Sequence, residues 1–123
     1  MDVKVTMQEV EGVSVVGLNG RIVLGEESVA LRDAVKGLIA AGKKKVVLDM
    51  SNVTYIDSAG LGILVATYVT SKTQGASIRL CALGNKFREV LQITRLLTVF
   101  DVYDTQKAAI ASFGASNSAS AAG

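Results

Sequence analysis

Apolar and polar residues alternate along this chain with several distinct rhythms, and each rhythm predicts an element. Val3, Val5 and Met7 alternate with Lys4, Thr6 and Gln8, the period of two expected of a half-exposed strand. Glu11-Gly12 supplies a turn, and Val13 to Leu18 returns as a second, more apolar strand that Asn19-Gly20 breaks. The opening is therefore predicted to be an antiparallel hairpin. From Glu26 the period lengthens. Leu31, Ala34, Val35, Leu38 and Ile39 recur at helical spacing, with Arg32, Asp33 and Lys36 on the opposite face. Glu26 and Glu27 suit the positive first turn of that helix, and Gly42 suits its C-terminal cap.

The stretch from Lys45 to Thr70 organises the rest. Val46, Val47 and Leu48 form a short apolar run bounded by lysines and polar residues, the pattern of a buried strand. Ala59 to Thr70 is almost wholly apolar and uncharged, long enough for about three helical turns. That helix is expected to end near Gln74-Gly75. Ile78, Leu80 and Ala82 alternate as a further strand. Asn85 is placed to cap a third helix with Phe87, Val90, Leu91 and Thr94 on its inner face. Val99 and Phe100 suggest a short edge strand, and Asp104 or Thr105 the cap of a last helix reaching about Phe113. Strands alternating with helices imply a mostly parallel sheet. The predicted fold is α/β: a mixed four- to five-stranded sheet with an N-terminal hairpin, packed by about four helices. Residues 1–113 form one domain, and the small, polar 114–123 tail is expected to be disordered.

Composition narrows the function. Half of the 123 residues are apolar and 20% are charged, which is globular rather than disordered. A net charge of +2 does not indicate nucleic acid, and no aromatics interleave with the Lys43–Lys45 cluster as a single-strand binder would need. Histidine is absent, which removes the commonest general base and metal ligand. Cys81 is single, lies in an apolar strand pattern, and fits a small core residue better than a nucleophile. The first residues lack the apolar core of a signal peptide, and no run approaches about 18 apolar residues. A cytoplasmic protein without membrane insertion and without a cofactor is expected.

Three catalytic or binding constellations fail. Gly37 to Lys44 nearly matches a phosphate-cradling P-loop. Its last position is Lys44 where a hydroxyl is required, and it runs from helix into strand rather than the reverse. Ser58 does not sit in a hydrolase elbow, because Ile56 stands where glycine is needed and no histidine exists to activate it. Asp49 and Asp57 are separated by strand and loop, and no third group joins them.

The junction Tyr55-Ile56-Asp57-Ser58-Ala59-Gly60 carries more. Asp57 or Ser58 is expected to cap the helix, a contribution of about 1 kcal/mol. Gly60 and Gly62 are not explained by capping, because each glycine in a helix costs roughly 1 kcal/mol against alanine. Either intimate helix–sheet packing or close approach of a partner to the backbone would account for them. Ser58 at a helix start is well placed to carry a phosphate, because free N–H groups and the dipole favour an anion there. A partner docking over that surface would have to desolvate about −1.5 to −2 added charges.

The pattern VVLDMSNVTYIDSAGLGIL, then a helix, the strand IRLCAL and FREVLQITRLLTVFDVYDTQKAAI resembles the STAS domain family, and within it the bacterial anti-sigma factor antagonists. The similarity runs from about Val3 to Phe113, with DSAGLG as its most specific part. The resemblance implies a non-enzymatic partner switch. Its partners would be an anti-sigma factor that is also a serine kinase, which phosphorylates Ser58, and a PP2C-type phosphatase that resets it. The unphosphorylated form would bind the kinase and free the sigma factor. Asp57 would orient the hydroxyl and shape the contact, and Ala59, Gly60, Leu61 and Gly62 would complete the partner-binding surface. The alternatives are a non-switching STAS subunit of a transport or sensory complex, and a small nucleotide- or anion-binding module.

Overall fold

A computed structural model describes residues 4–22, 26–95 and 99–113. Strands β1 (Lys4–Val10) and β2 (Val13–Ile22) form an antiparallel hairpin, joined in unbroken register from Lys4 opposite Asn19 to Val10 opposite Val13. Glu11 and Gly12 between them both have positive φ (52° and 79°), the combination that a two-residue type I′ turn requires. Helix α1 (Glu26–Ala40) follows, then β3 (Lys45–Ile56), α2 (Ser58–Thr73), β4 (Ser77–Cys81), α3 (Asn85–Ile93) and β5 (Asp101–Tyr103). A last helix, α4, spans residues 106–113. The sheet order is β1-β2-β3-β4-β5, and every pair after the hairpin is parallel.

The sheet is covered on both faces. Leu31 and Val35 of α1, Leu61, Leu64 and Tyr68 of α2, and Phe87 and Leu91 of α3 pack with Val16, Leu18, Val46, Leu48 and Leu80 into the larger core. On the opposite face, Ala109, Ile110 and Phe113 of α4 cover Val13, Val15, Val47 and Cys81. Arg79 lies 3.9 Å from the Phe113 ring centroid and donates to Ser112 Oγ at 2.6 Å, which ties the end of α4 to β4. Helices α1 and α2 end alike. Gly42 (φ 84°) and Gly75 (φ 82°) take the left-handed conformation just past the last turn. The following residues, Lys43 and Ala76, donate back to Leu38 and Ser71 at 2.9 Å each.

Several elements differ from their sequence expectation. Asn19-Gly20 does not end β2, which continues to Ile22 through two register shifts against β3. Strand β3 does not stop at Leu48 but continues to Ile56. Between Asp49 and Asn52, and again between Val53 and Tyr55, β3 advances one residue more than β2. Each extra residue delays the return to the core face, so Met50, Val53 and Ile56 all meet the larger core at a spacing of three. Ala82 (φ 58°) has already left β4. The residue before α3 is Gly84, with Asn85 as the first helical residue, and Thr94 is exposed at the helix end with its hydroxyl donating to Val90 O at 2.8 Å. The edge strand begins at Asp101. Phe100 is instead a core residue, packed edge-on against Tyr68 with ring centroids 4.9 Å apart. Thr105, not Asp104, caps α4, its hydroxyl accepting from Ala108 N–H at 3.0 Å. Val3 and the 114–123 tail lie outside the described residues.

Candidate functional site

Strands β2 and β3 end side by side, with Ile22 opposite Ile56. The chain then turns at Asp57, whose extended backbone (φ −97°, ψ 177°) makes it the N-cap of α2. Its N–H, its carboxylate and its carbonyl are each held. Its N–H donates to Ile22 O at 3.2 Å, its carboxylate Oδ1 accepts from Gly60 N–H at 2.6 Å, and its carbonyl accepts from Leu61 N–H at 2.9 Å. Of the two capping candidates, Asp57 is the one used, and Ser58 is the first residue of the helix.

The two glycines have different causes. Gly60 is buried beneath the helix start. A Cβ there would collide with the carbonyl oxygen of Ile22 and lie 2.8 Å from its carbonyl carbon. Helix α2 can therefore sit this close to the end of β2 only with glycine at position 60. Gly62 is exposed, and a Cβ there would meet nothing within 4 Å. Nothing among the described residues requires glycine at 62.

The six motif residues thus divide by direction. Asp57, Gly60 and Leu61 anchor the helix start, with Leu61 buried in the larger core. Ala59 is half-buried. Ser58 and Gly62 are exposed and stand four residues apart, on one face of the helix. Ala66, Val69, Thr70 and Thr73 are exposed further along α2, and the helix carries no charge before Lys72. Ser58 Oγ makes no hydrogen bond among the described residues. Beside the junction, Arg21 at the end of β2 lies over the exposed Tyr55 ring, 5.5 Å from its centroid. The anchoring role of Ile22 had no sequence signal, because it acts through its backbone carbonyl.

The discarded constellations are also placed. Gly37–Lys44 runs from the last turns of α1 into β3, so helix carbonyls rather than N–H groups face the loop. Asp49 is held by Ser51 N–H at 2.9 Å and Gln106 Nε2 at 2.7 Å, and is eight residues, roughly 25 Å of strand, from Asp57. Cys81 is fully buried. Burial first, and then the Asp49 carboxylate, push its thiol up to about 12, while the Met50 N–H works in the opposite direction. Among the described residues no group of His, Cys, Asp and Glu is arranged to hold a metal ion, and no helix is long and apolar enough to cross a membrane.

Fold and site together define a small α/β domain that presents a serine hydroxyl at the start of a helix that carries no charge before its last turn. The chain belongs to the STAS domain family, whose profile matches residues 4–109. It is 30% identical over 110 residues to BtrV of Bordetella bronchiseptica, described as a candidate anti-sigma factor antagonist, covering 89% of this chain and 94% of the relative. The crystal structure of an anti-sigma factor antagonist from Mycobacterium paratuberculosis matches with a TM-score of 0.76 at 28% identity, over 90% of this chain and 93% of that one. A candidate antagonist from Thermotoga maritima matches with a TM-score of 0.80 at 25% identity, over 88% and 92% of the two chains.

Proposed function

We propose that this protein is an anti-sigma factor antagonist switched by phosphorylation of Ser58. The observation that carries the reading is the exposed Ser58 hydroxyl, held at the first residue of α2 by the Asp57 cap and by the fit of Gly60 against Ile22. A kinase can reach this oxygen without unfolding anything. The phosphate it adds sits where the helix dipole favours an anion, so the fold tolerates it.

The partner does not tolerate it. An anti-sigma factor kinase docked over Ser58 and Gly62 would have to desolvate a doubly charged group beside the Asp57 carboxylate. A thousandfold loss of affinity takes only about 4 kcal/mol, and an unpaired charge in an interface supplies that much. The unphosphorylated form therefore holds the kinase and leaves the sigma factor free. The phosphorylated form releases the kinase, and a PP2C-type phosphatase restores the first state.

Incubation with the cognate kinase and ATP should add one phosphoryl group, detected by intact mass and absent in Ser58→Ala. Ser58→Glu should bind the kinase poorly while retaining the wild-type circular dichroism spectrum. A wild-type protein that stays unmodified, or a Ser58→Glu variant that binds undiminished, would overturn the proposal.

A further inference from the structure

Helices α1 and α2 leave a groove of about 150 Å³ between them, which begins at Ile63, a turn and a half into α2, and continues to Gln74 just past its end. Its apolar lining is Val35 and Ile39 of α1 with Ile63 and Ala66 of α2. Arg32 and Lys36, one helical turn apart on α1, line it as well. Thr67 also lines the groove. It is 6% exposed, and its hydroxyl makes no hydrogen bond among the described residues. The neighbouring buried hydroxyl of Ser71 does have a partner, the Thr67 carbonyl at 2.7 Å.

We propose that this groove is a second docking point for the anti-sigma factor kinase, occupied by an acidic segment that inserts one branched or aromatic apolar side chain. The proposal rests on the partner-switch reading of Ser58 and adds to it where and how the partner is held. The cavity has the size of one such side chain. The cations fit carboxylates on the incoming segment. Lys36 has no ion pair among the described residues, and Arg32 meets only its exposed neighbour Asp33, at 3.6 Å. A second copy of this chain is the poorer occupant, because a two-fold contact through this patch would set Arg32 and Lys36 against the same cations. On α2 the groove's apolar lining, Ile63 and Ala66, lies five and eight residues after Ser58, roughly 8 and 12 Å along the helix. A partner spanning both points is therefore anchored away from the phosphorylation point while it reads the charge there.

The test measures binding of the kinase by calorimetry, with ADP in place of ATP so that Ser58 stays unmodified. Arg32→Glu/Lys36→Glu should bind at least tenfold more weakly, and wild-type affinity should fall with added salt more steeply than that of the variant. Ala66→Leu, which fills the groove from an exposed helix position, should weaken binding by a similar factor with an unchanged melting temperature. Wild-type affinity in both variants, or tighter binding by the charge-reversed one, would overturn the groove while leaving Ser58 phosphorylation intact. Wild-type protein that neither binds the kinase nor accepts phosphate would overturn both readings together. Self-association of the wild type in sedimentation that Ala66→Leu abolishes would instead name a second copy as the occupant and overturn the assignment.

Discussion

Alanine substitution at Gly60 and Gly62 should move stability in opposite directions, although the two residues share one helix and lie two positions apart. At Gly62 the added methyl meets open space. The helix then gains the full propensity difference of about 1 kcal/mol, which for a domain of this size raises Tm by roughly 4 °C. At Gly60 the same methyl enters the Ile22 carbonyl that also accepts the Asp57 N–H. Backbone on both sides leaves no flexible side chain to yield. The cost should therefore reach the upper part of the about 1–3 kcal/mol typical of overpacking. Urea and thermal unfolding of the two variants beside wild type measure both shifts. Binding to the kinase completes the test, because Gly62→Ala should bind about tenfold more weakly despite being more stable. A Gly62→Ala protein that melts below wild type would refute the open-space argument. One that is more stable and binds normally would refute the idea that a partner comes close at that position.

Three further outcomes follow from the same geometry. Asp57→Ala should lose about 1 kcal/mol by removing the cap of α2, while Asp57→Asn, an equally good capping residue, should keep most of it; urea titration decides. Arg79→Ala should cost about 1–2 kcal/mol through the lost ring contact and hydrogen bond, and Arg79→Lys should restore less than half, because a lysine lacks the planar face that lies on Phe113. Cys81 should resist iodoacetamide at pH 8 in the folded protein and react on unfolding. Its thiol is raised in the folded state, so the stability linked to it is complete below an ordinary thiol pKa. That stability is lost as pH rises from about 9 toward about 12. The raised Tyr68 hydroxyl adds in the same direction, and a pH series of denaturant midpoints falling on the alkaline side checks both.

The hairpin and α1 are legible in the sequence because each keeps one clean period, and α2 because its apolar run is uncharged and too long for a strand; each carries its own punctuation: Glu11-Gly12, Gly42 and Gly75. The second half of β3 is not legible. Its core contacts Met50, Val53 and Ile56 recur every three residues, which matches neither a regular strand nor a helical face, because bulges against β2 create the spacing. Phe100 looks like part of a strand for a related reason. Aromatic character signals burial, and here the burial is against Tyr68 rather than in the sheet. At the site, the helix start, the cap and the exposed serine are readable from Asp57-Ser58 followed by an uncharged run. The division of labour between Gly60 and Gly62 is not, since it depends on where the Ile22 carbonyl lies.

The two extra residues of β3 make spacing as important as identity. Deleting one residue between Met50 and Ile56 would not merely trim a connector. It would turn the end of the strand over, send Ile56 to the wrong side of the sheet and aim the helix start elsewhere, with the serine still present but misdirected. Variants of this domain should therefore tolerate exchanges of letter in that run far better than any change in its count.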